Sequence, residues 1–171
     1  MDDRRRRFEA EAVPHLDAAY NLARWLSRSP ADAEDIVQDA MLRAFRAYDG
    51  FQGGDAKPWL LAIVRNCWRD AAADRRRRAQ VPIPEEESQP LIATDPDPEN
   101  LAQSASEQRR LDGAIAALPE EFREALVLRE IEDLSYREIA TVTGTPIGTV
   151  MSRLARARAL LRERYLAEER A

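Results

Sequence analysis

The sequence predicts an all-α protein: two small helical domains joined by an acidic, proline-rich linker, with a helix-turn-helix in the second domain. No segment sustains the apolar–polar alternation of a β-strand, whereas several repeat apolar residues with the period of a helix. Residues 79–106 hold six acidic residues, no basic residue and five of the ten prolines. Because proline disfavours helix and like charges repel, this segment is expected to be a flexible linker. The predicted domains are therefore residues 1–78 and 107–171.

Composition excludes several classes of protein. The single cysteine, Cys67, cannot form an internal disulfide, and the single histidine, His15, accompanies no metal-ligand spacing, phosphate loop or nucleophile–base pair. We therefore expect neither an enzyme nor a metal or cofactor site. The longest apolar run, residues 58–64, is far shorter than the ~20 residues needed to span a bilayer. No apolar segment of a signal peptide follows the arginines at 4–7. These features predict a cytoplasmic protein without membrane insertion.

A helix of the first domain is predicted to begin after Ser29, because Pro30 suits the first helical position and Asp32 the first turn. Its apolar residues share one face from Ile36 to Phe45. The opposite face carries Asp35, Gln38, Asp39, Leu42 and Arg46. Leu42 is either an ordinary exposed leucine or the apolar centre of a partner-binding strip with a charged rim. Both interpretations are open at this point.

A glycine-containing loop with Tyr48 and Phe51 precedes a second helix, expected to restart at Lys57 and Pro58. Cys67 lies on its apolar face and is predicted to be a buried small hydrophobe rather than a reactive thiol. The other side carries Arg65, Asn66 and Arg69, flanked by Trp59 and Trp68. A basic helix face of this kind is usually exposed to solvent and binds no partner. Arginines beside aromatic rings are also typical of single-stranded nucleic-acid binding.

The second domain contains the sharpest pattern. Ser135 and Glu138 form a capping box for one short helix, Gly144 ends it, and Thr145 with Pro146 starts the next. This spacing predicts a helix-turn-helix, whose second helix enters the DNA major groove. Its periodicity places Ile147, Val150, Leu154 and Leu161 inward and Met151 near the apolar side. The outward face is predicted to carry Thr149, Ser152, Arg153 and Arg156. The alternative is a helical hairpin with a solvated arginine face.

Five segments together resemble bacterial RNA polymerase sigma factors of the extracytoplasmic-function group of the sigma-70 family. They are D-A-E-D-I-V-Q-D at 32–39, W-L-L-A-I-V-R-N at 59–66, L-P-E-E-F-R at 118–123, L-S-Y-R-E-I-A at 134–140 and G-T-V-M-S-R-L at 148–154. Their order and spacing extend the resemblance over residues 8–166. The chain departs from many relatives at Met151, where they carry Lys or Arg, and at Ala155, where some carry a bulky side chain.

The resemblance implies a function for each predicted surface. Residues 1–78 would be sigma region 2 and residues 107–171 sigma region 4, which also engages the polymerase flap. The face with Asp35, Gln38, Asp39 and Leu42 would bind the clamp coiled coil of core RNA polymerase. Promoter DNA would meet Phe51, Arg65, Asn66 and Arg69 at the −10 element, and Thr149, Ser152, Arg153 and Arg156 at the −35 element.

The resemblance further implies an anti-sigma partner, and a linker that runs toward the RNA exit channel. Two other functions remain to be tested against it. A stand-alone helix-turn-helix regulator would account for the second domain and leave the first unexplained. A helical enzyme would need a constellation of reactive groups that the residues do not offer.

Overall fold

The first domain is a bundle of four helices. The computed structural model describes residues 2–79 and 101–170, and in the first of these ranges the helices are α1 (Asp2–Ala12), α2 (Leu16–Ser27), α3 (Pro30–Ala47) and α4 (Ala56–Arg78). The predicted cap of α3 is confirmed: the Ser29 hydroxyl accepts a hydrogen bond from the Asp32 N–H at 3.3 Å, and Pro30 begins the helix. Helices α2, α3 and α4 pack on one another around Leu22, Leu60 and Val64.

The connection between α3 and α4 is a short turn followed by an irregular loop. Residues Tyr48–Gly50 form one 3₁₀ turn, and residues 51–55 lead into α4. Gly53 and Gly54 have φ angles of +83° and +90°, which glycine adopts without steric cost. Helix α4 begins at Ala56, one residue before the predicted restart, because the Asp55 carboxylate accepts the Lys57 N–H at 2.9 Å.

The second domain contains the predicted helix-turn-helix. Its helices are α5 (Leu101–Ala116), α6 (Glu120–Leu126), α7 (Tyr136–Thr143) and α8 (Ile147–Glu169), with one π-helical turn at Val127–Ile131. The capping box of α7 is present in both directions, since the Ser135 N–H donates to Glu138 at 2.9 Å and the Glu138 N–H donates to Ser135 at 3.1 Å. Gly144 ends α7 in the left-handed region, at a φ of +65°. Helices α7 and α8 are therefore held in the arrangement that the sequence predicts.

The predicted linker, residues 79–106, differs from the structure at its end. Helix α5 begins at Leu101, so the last six residues of that segment are helical. Residues 101–106 contain no proline and no charge, and Leu, Ala and Gln favour helix. Residues 80–100 of the predicted linker lie outside the described residues.

The two domains share one hydrophobic core. Helix α2 packs against α6 and the π-helical turn, and α4 packs against α7. Fully buried side chains come from both domains; the largest are Leu22, Leu60, Leu61, Leu128, Leu134, Ile139, Leu154, Val64, Val127 and Val150. Because domains of this size bury a modest fraction of their surface alone, each gains apolar cover from the other.

Cys67 lies in this core, as its helical position predicts. It is 2 % exposed, and burial raises the pKa of its thiol to about 12. The thiol is therefore uncharged at neutral pH and acts as a small apolar group.

Two kinds of feature are absent from the described ranges. None of their helices is long and apolar enough to cross a membrane. Their His, Cys, Asp and Glu side chains form no group of three or more that could hold a metal ion.

Candidate nucleic-acid interface

The exposed strip of α8, the second helix of the helix-turn-helix, differs from the predicted one. Val150, Leu154 and Ala157 are buried, and the exposed residues of its first three turns are Ile147, Gly148, Met151, Ser152, Ala155 and Arg156. Ser152 and Arg156 are thus outward, as expected. The prediction that Ile147 faces inward is wrong, because Ile147 is 40 % exposed. Met151, which is predicted to lie near the apolar side, is 49 % exposed. Helices α6 and α7 cover the opposite side of α8 and leave this strip free.

The other two predicted reading residues of α8 lie at the edge of that strip. Thr149 is half-buried, and its carbonyl accepts a hydrogen bond from the Ser152 hydroxyl at 3.0 Å. The Arg153 side chain is only 23 % exposed, and its Nη2 lies 3.6 Å from the Glu121 carboxylate on α6. Arg156, in contrast, is exposed and makes no ion pair within the described residues. Arg156 is therefore the arginine of the predicted set that is most available to an anion.

Contacts outside the helix-turn-helix fix the angle at which α8 is presented. The Arg158 side chain on α8 reaches the Glu130 carboxylate at 2.8 Å, and the Arg129 guanidinium lies 5.1 Å from the centroid of the Tyr136 ring. Arg129 also donates to the Leu134 carbonyl at 2.8 Å. The π-helical turn that carries Arg129 and Glu130 thus connects α6 to both helices of the motif.

The first residue of the loop before α4, Phe51, belongs to an aromatic cluster with Tyr48 and Trp59. Phe51 is half-buried, with its ring centroid 4.8 Å from that of Trp59 and 6.2 Å from that of Tyr48. Tyr48 and Trp59 are also half-buried. Three half-buried aromatic rings are therefore grouped at the start of α4.

The basic side of α4 is divided between solvent and core. Asn66 and Arg69 are exposed, as expected. Arg65 is only 8 % exposed, and its guanidinium forms an ion pair with Glu124 of α6, which is 3 % exposed. Trp68 is 8 % exposed and belongs to the core, so it does not flank the basic side. The pattern of one helix does not predict either outcome, because Glu124 of α6 pairs with Arg65 and because α2 and α3 pack against α4.

A second cation of α4 also contacts the second domain. The Lys57 ammonium donates to the Glu132 carbonyl at 2.7 Å and lies 3.4 Å from the Glu132 carboxylate, which is 5 % exposed. Burial raises the pKa of the Glu124 carboxyl, and the Arg65 guanidinium offsets part of that rise. We call these two ion pairs, Arg65–Glu124 and Lys57–Glu132, the interdomain pairs. They hold α4 against the second domain.

Sequence reasoning also missed Arg123, which the structure buries. Its guanidinium donates to the Ala116 and Leu118 carbonyls at 3.1 and 3.2 Å, and burial lowers its pKa. These carbonyls belong to the end of α5 and the residues after it, where a helix leaves acceptors without partners. Arg123 is therefore a structural residue of the second domain.

The predicted polar face of α3 is a continuous exposed surface. Asp35, Gln38, Asp39 and Leu42 are all exposed, and Leu42 is 53 % exposed. Asp39 pairs with Arg43 at 3.0 Å, and Arg43 reaches Asp70 on α4 at 2.7 Å. Leu42 therefore lies outside the core with a charged rim around it.

Comparisons with known proteins agree with this organisation. The family model described as Sigma-70 region 2 matches residues 13–78, and that described as Sigma-70, region 4 matches residues 108–161. The chain is 40 % identical over 154 residues to the ECF RNA polymerase sigma factor SigE of Mycolicibacterium smegmatis, covering 90 % of this chain and 59 % of that relative. It is 37 % identical over 134 residues to the ECF RNA polymerase sigma-E factor of Escherichia coli K12, covering 74 % of this chain and 70 % of the relative.

Two solved structures share the fold. The sigma factor RpoE of Bartonella quintana, in complex with the anti-sigma factor NepR, has a TM-score of 0.74 and 31 % identity, covering 92 % of this chain and 95 % of that one. CnrH in complex with the cytosolic domain of CnrY has a TM-score of 0.65 and 27 % identity, covering 98 % and 91 %.

The interdomain pairs predict a specific loss of stability. Glu124→Ala leaves the Arg65 guanidinium buried without its carboxylate, so we expect the free energy of unfolding to fall by about 3–5 kcal/mol. Urea denaturation measures this, and small-angle X-ray scattering should show a larger radius of gyration. Glu121→Ala is the matched control, because its carboxylate is 54 % exposed and pairs loosely with Arg153. That control should change stability by about 0–1 kcal/mol. Equal stability and equal size of the two variants would contradict the assignment.

Proposed function

The chain belongs to the extracytoplasmic-function group of the sigma-70 family, and we propose that it binds core RNA polymerase and directs it to promoters with a −10 and a −35 element. The observation that carries this proposal is the presence, in order, of region 2 and region 4 in one chain. Each region also has an exposed face suited to its task. Binding to core polymerase would place the protein in the cytoplasm.

The exposed strip of α8 is the proposed reader of the −35 element. Ser152 offers a hydroxyl, and Arg156 offers a planar fork of donors that fits the edge of a guanine. Thr149 and Arg153 lie at the side of the strip, where they would contact the DNA backbone. Because the Arg153 guanidinium already lies near the Glu121 carboxylate, Arg153 would help to position α8 on the DNA rather than read a base.

The exposed face of α3 is the proposed docking surface for the clamp coiled coil of core polymerase. An apolar side chain surrounded by polar ones matches the usual anatomy of a protein interface, in which a dry centre carries most of the binding energy. Leu42 would be that centre, with Asp35, Gln38 and Asp39 as its rim. The second domain would meet the polymerase flap.

The aromatic loop and α4 are the proposed binding site for the melted −10 element. Phe51 and Trp59 would stack an extruded base, while Asn66 and Arg69 would contact the strand. Capture of a flipped base offsets the few kcal/mol lost when it leaves the stack, so opening needs no nucleotide hydrolysis. Arg65 could join this site only after the Arg65–Glu124 pair opens, which requires α4 and α6 to separate.

An anti-sigma factor is the proposed regulator. The related RpoE of Bartonella quintana is solved in complex with one, NepR. In this chain, an inhibitor would act by covering the α3 face or the α8 strip, or by holding the interdomain pairs closed.

Run-off transcription tests the proposal directly. Purified protein is mixed with core polymerase and a library of bacterial promoters, and the expected result is initiation from a subset with a shared two-part sequence. Binding of duplex DNA without any initiation would overturn the proposal and favour the stand-alone regulator.

Leu42→Asp should weaken binding to core polymerase by roughly tenfold or more, because a charge would enter the apolar centre of the interface. Competition for core polymerase against a labelled sigma factor measures this. Leu166→Asp is the control, since Leu166 is 42 % exposed near the end of α8, outside the matched regions. Circular dichroism should show both variants folded. The docking assignment is wrong if Leu42→Asp competes as well as Leu166→Asp.

Arg156→Ala should lower affinity for the −35 element by about 1–3 kcal/mol, the usual contribution of an arginine–guanine contact, and should relax the preference at one base pair. Selection of bound sequences from a randomised −35 library measures both effects. Arg164→Ala serves as control, because Arg164 is exposed on the same helix but beyond the region 4 match. Retention of the wild-type preference by Arg156→Ala would remove Arg156 from the reading surface.

A further inference from the structure

We propose that the N-terminal helix α1 positions the aromatic loop for capture of the extruded base, with Arg4 and Phe8 as the positioning residues. This inference rests on the proposed function of that loop. The region 2 match begins at residue 13, so α1 lies outside the residues that this family model matches.

The sequence of α1 contains a run of four arginines, of which one behaves differently from the rest. Arg5 pairs with Glu9 at 2.7 Å, Arg6 pairs with Asp2, and Arg7 pairs with Asp3 at 3.4 Å, all within the helix. Arg4 instead reaches across to the end of α3. Its Nε lies 2.8 Å from the Asp49 carboxylate, and its Nη2 donates to the Phe45 carbonyl at 2.8 Å.

These contacts fix the turn from which the aromatic loop leaves. Phe45 lies in the last turn of α3, where its carbonyl also accepts the Tyr48 N–H, and Asp49 lies in the following 3₁₀ turn. The Arg4 guanidinium therefore bridges the two sides of the turn. It also lies 4.5 Å from the centre of the Phe45 ring, a cation–π distance. The direction in which Phe51 leaves the turn thus depends on Arg4.

Phe8 provides a second connection, through aromatic rings. It is 6 % exposed, and its ring meets those of Phe45 and Tyr48 edge-on, at 5.2 and 5.5 Å. Tyr48 in turn lies 6.2 Å from Phe51 and 6.4 Å from Trp59. A continuous series of ring contacts therefore runs from α1 to the stacking surface.

Few side chains of helix α1 anchor it to the rest of the domain. Phe8 and Ala12 are its only buried residues, and the rest of the helix is mostly charged. The loop beyond contains Gly53 and Gly54 and would lose conformational entropy on binding a base. Holding its first residues in advance reduces that loss, which is the general advantage of a preorganised site. The effect should appear when DNA opens, and binding to core polymerase should be unaffected.

The test compares Arg4→Ala with Arg5→Ala as a matched control, each assembled with core polymerase. On a duplex promoter, Arg4→Ala should slow open-complex formation roughly tenfold, which is the effect expected when hydrogen bonds from a charged group are lost. Arg5→Ala should open the same promoter at the wild-type rate. On a template already unpaired at the −10 element, the Arg4→Ala defect should shrink to about twofold or less. Asp49→Asn, which weakens the same contact without altering α1, should reproduce the duplex defect.

Three results would overturn the inference. The first is equal rates for Arg4→Ala and Arg5→Ala on the duplex. The second is an equal Arg4→Ala defect on both templates, which would indicate a general loss of structure. The third is normal opening by Asp49→Asn. Each of these results requires a wild-type protein that initiates transcription. Absence of initiation by the wild-type protein would instead overturn the proposed function, so the two failures are distinguishable.

Discussion

The ion pair between Arg65 and Glu124 is the interaction on which the arrangement of the two domains depends. Both groups are almost fully buried, so each has lost its hydration, and the pair is tolerated only while its geometry holds. Moving α4 away from α6 separates the charges and exposes the apolar surfaces around them. The Lys57–Glu132 contact adds a second point at which the same movement is resisted. The shared core and the interdomain pairs thus stabilise one another.

This arrangement leaves the candidate surfaces unequally accessible. The α3 face and the α8 strip are exposed while the domains are packed together, so a partner can bind them without any rearrangement. Arg65 is available only after the domains separate. A partner that binds the separated form would therefore compete with the interdomain pairs, whereas one that binds across both domains would reinforce them. The surface that a partner covers therefore decides whether it shifts the protein toward the separated form or toward the packed form.

Features set by local chemistry could be predicted from the sequence. The Ser29 cap, the capping box of Ser135 and Glu138, and the left-handed Gly144 each depend on residues within one turn. The exposed face of α3 followed from helical spacing alone. Arg65, Trp68, Ile147 and Arg153 were placed incorrectly or incompletely, since their exposure depends on which other helix lies beside them. Periodicity defines the faces of a helix, but tertiary packing decides which face is covered.

The arginines illustrate why charge counts describe this chain poorly. Arg65 is buried against a carboxylate, and Arg123 is buried against two backbone carbonyls. Neither arginine therefore contributes positive potential to the surface. Arg5, Arg6 and Arg7 are neutralised within α1. Arg69 and Arg156 are exposed and make no ion pair within the described ranges, and they lie on the two helices proposed to meet DNA. An anion is attracted by the charges that remain unpaired at the surface, and the net charge of −5 does not record where they are. For this chain, the ability to bind DNA is therefore determined by how each arginine is paired.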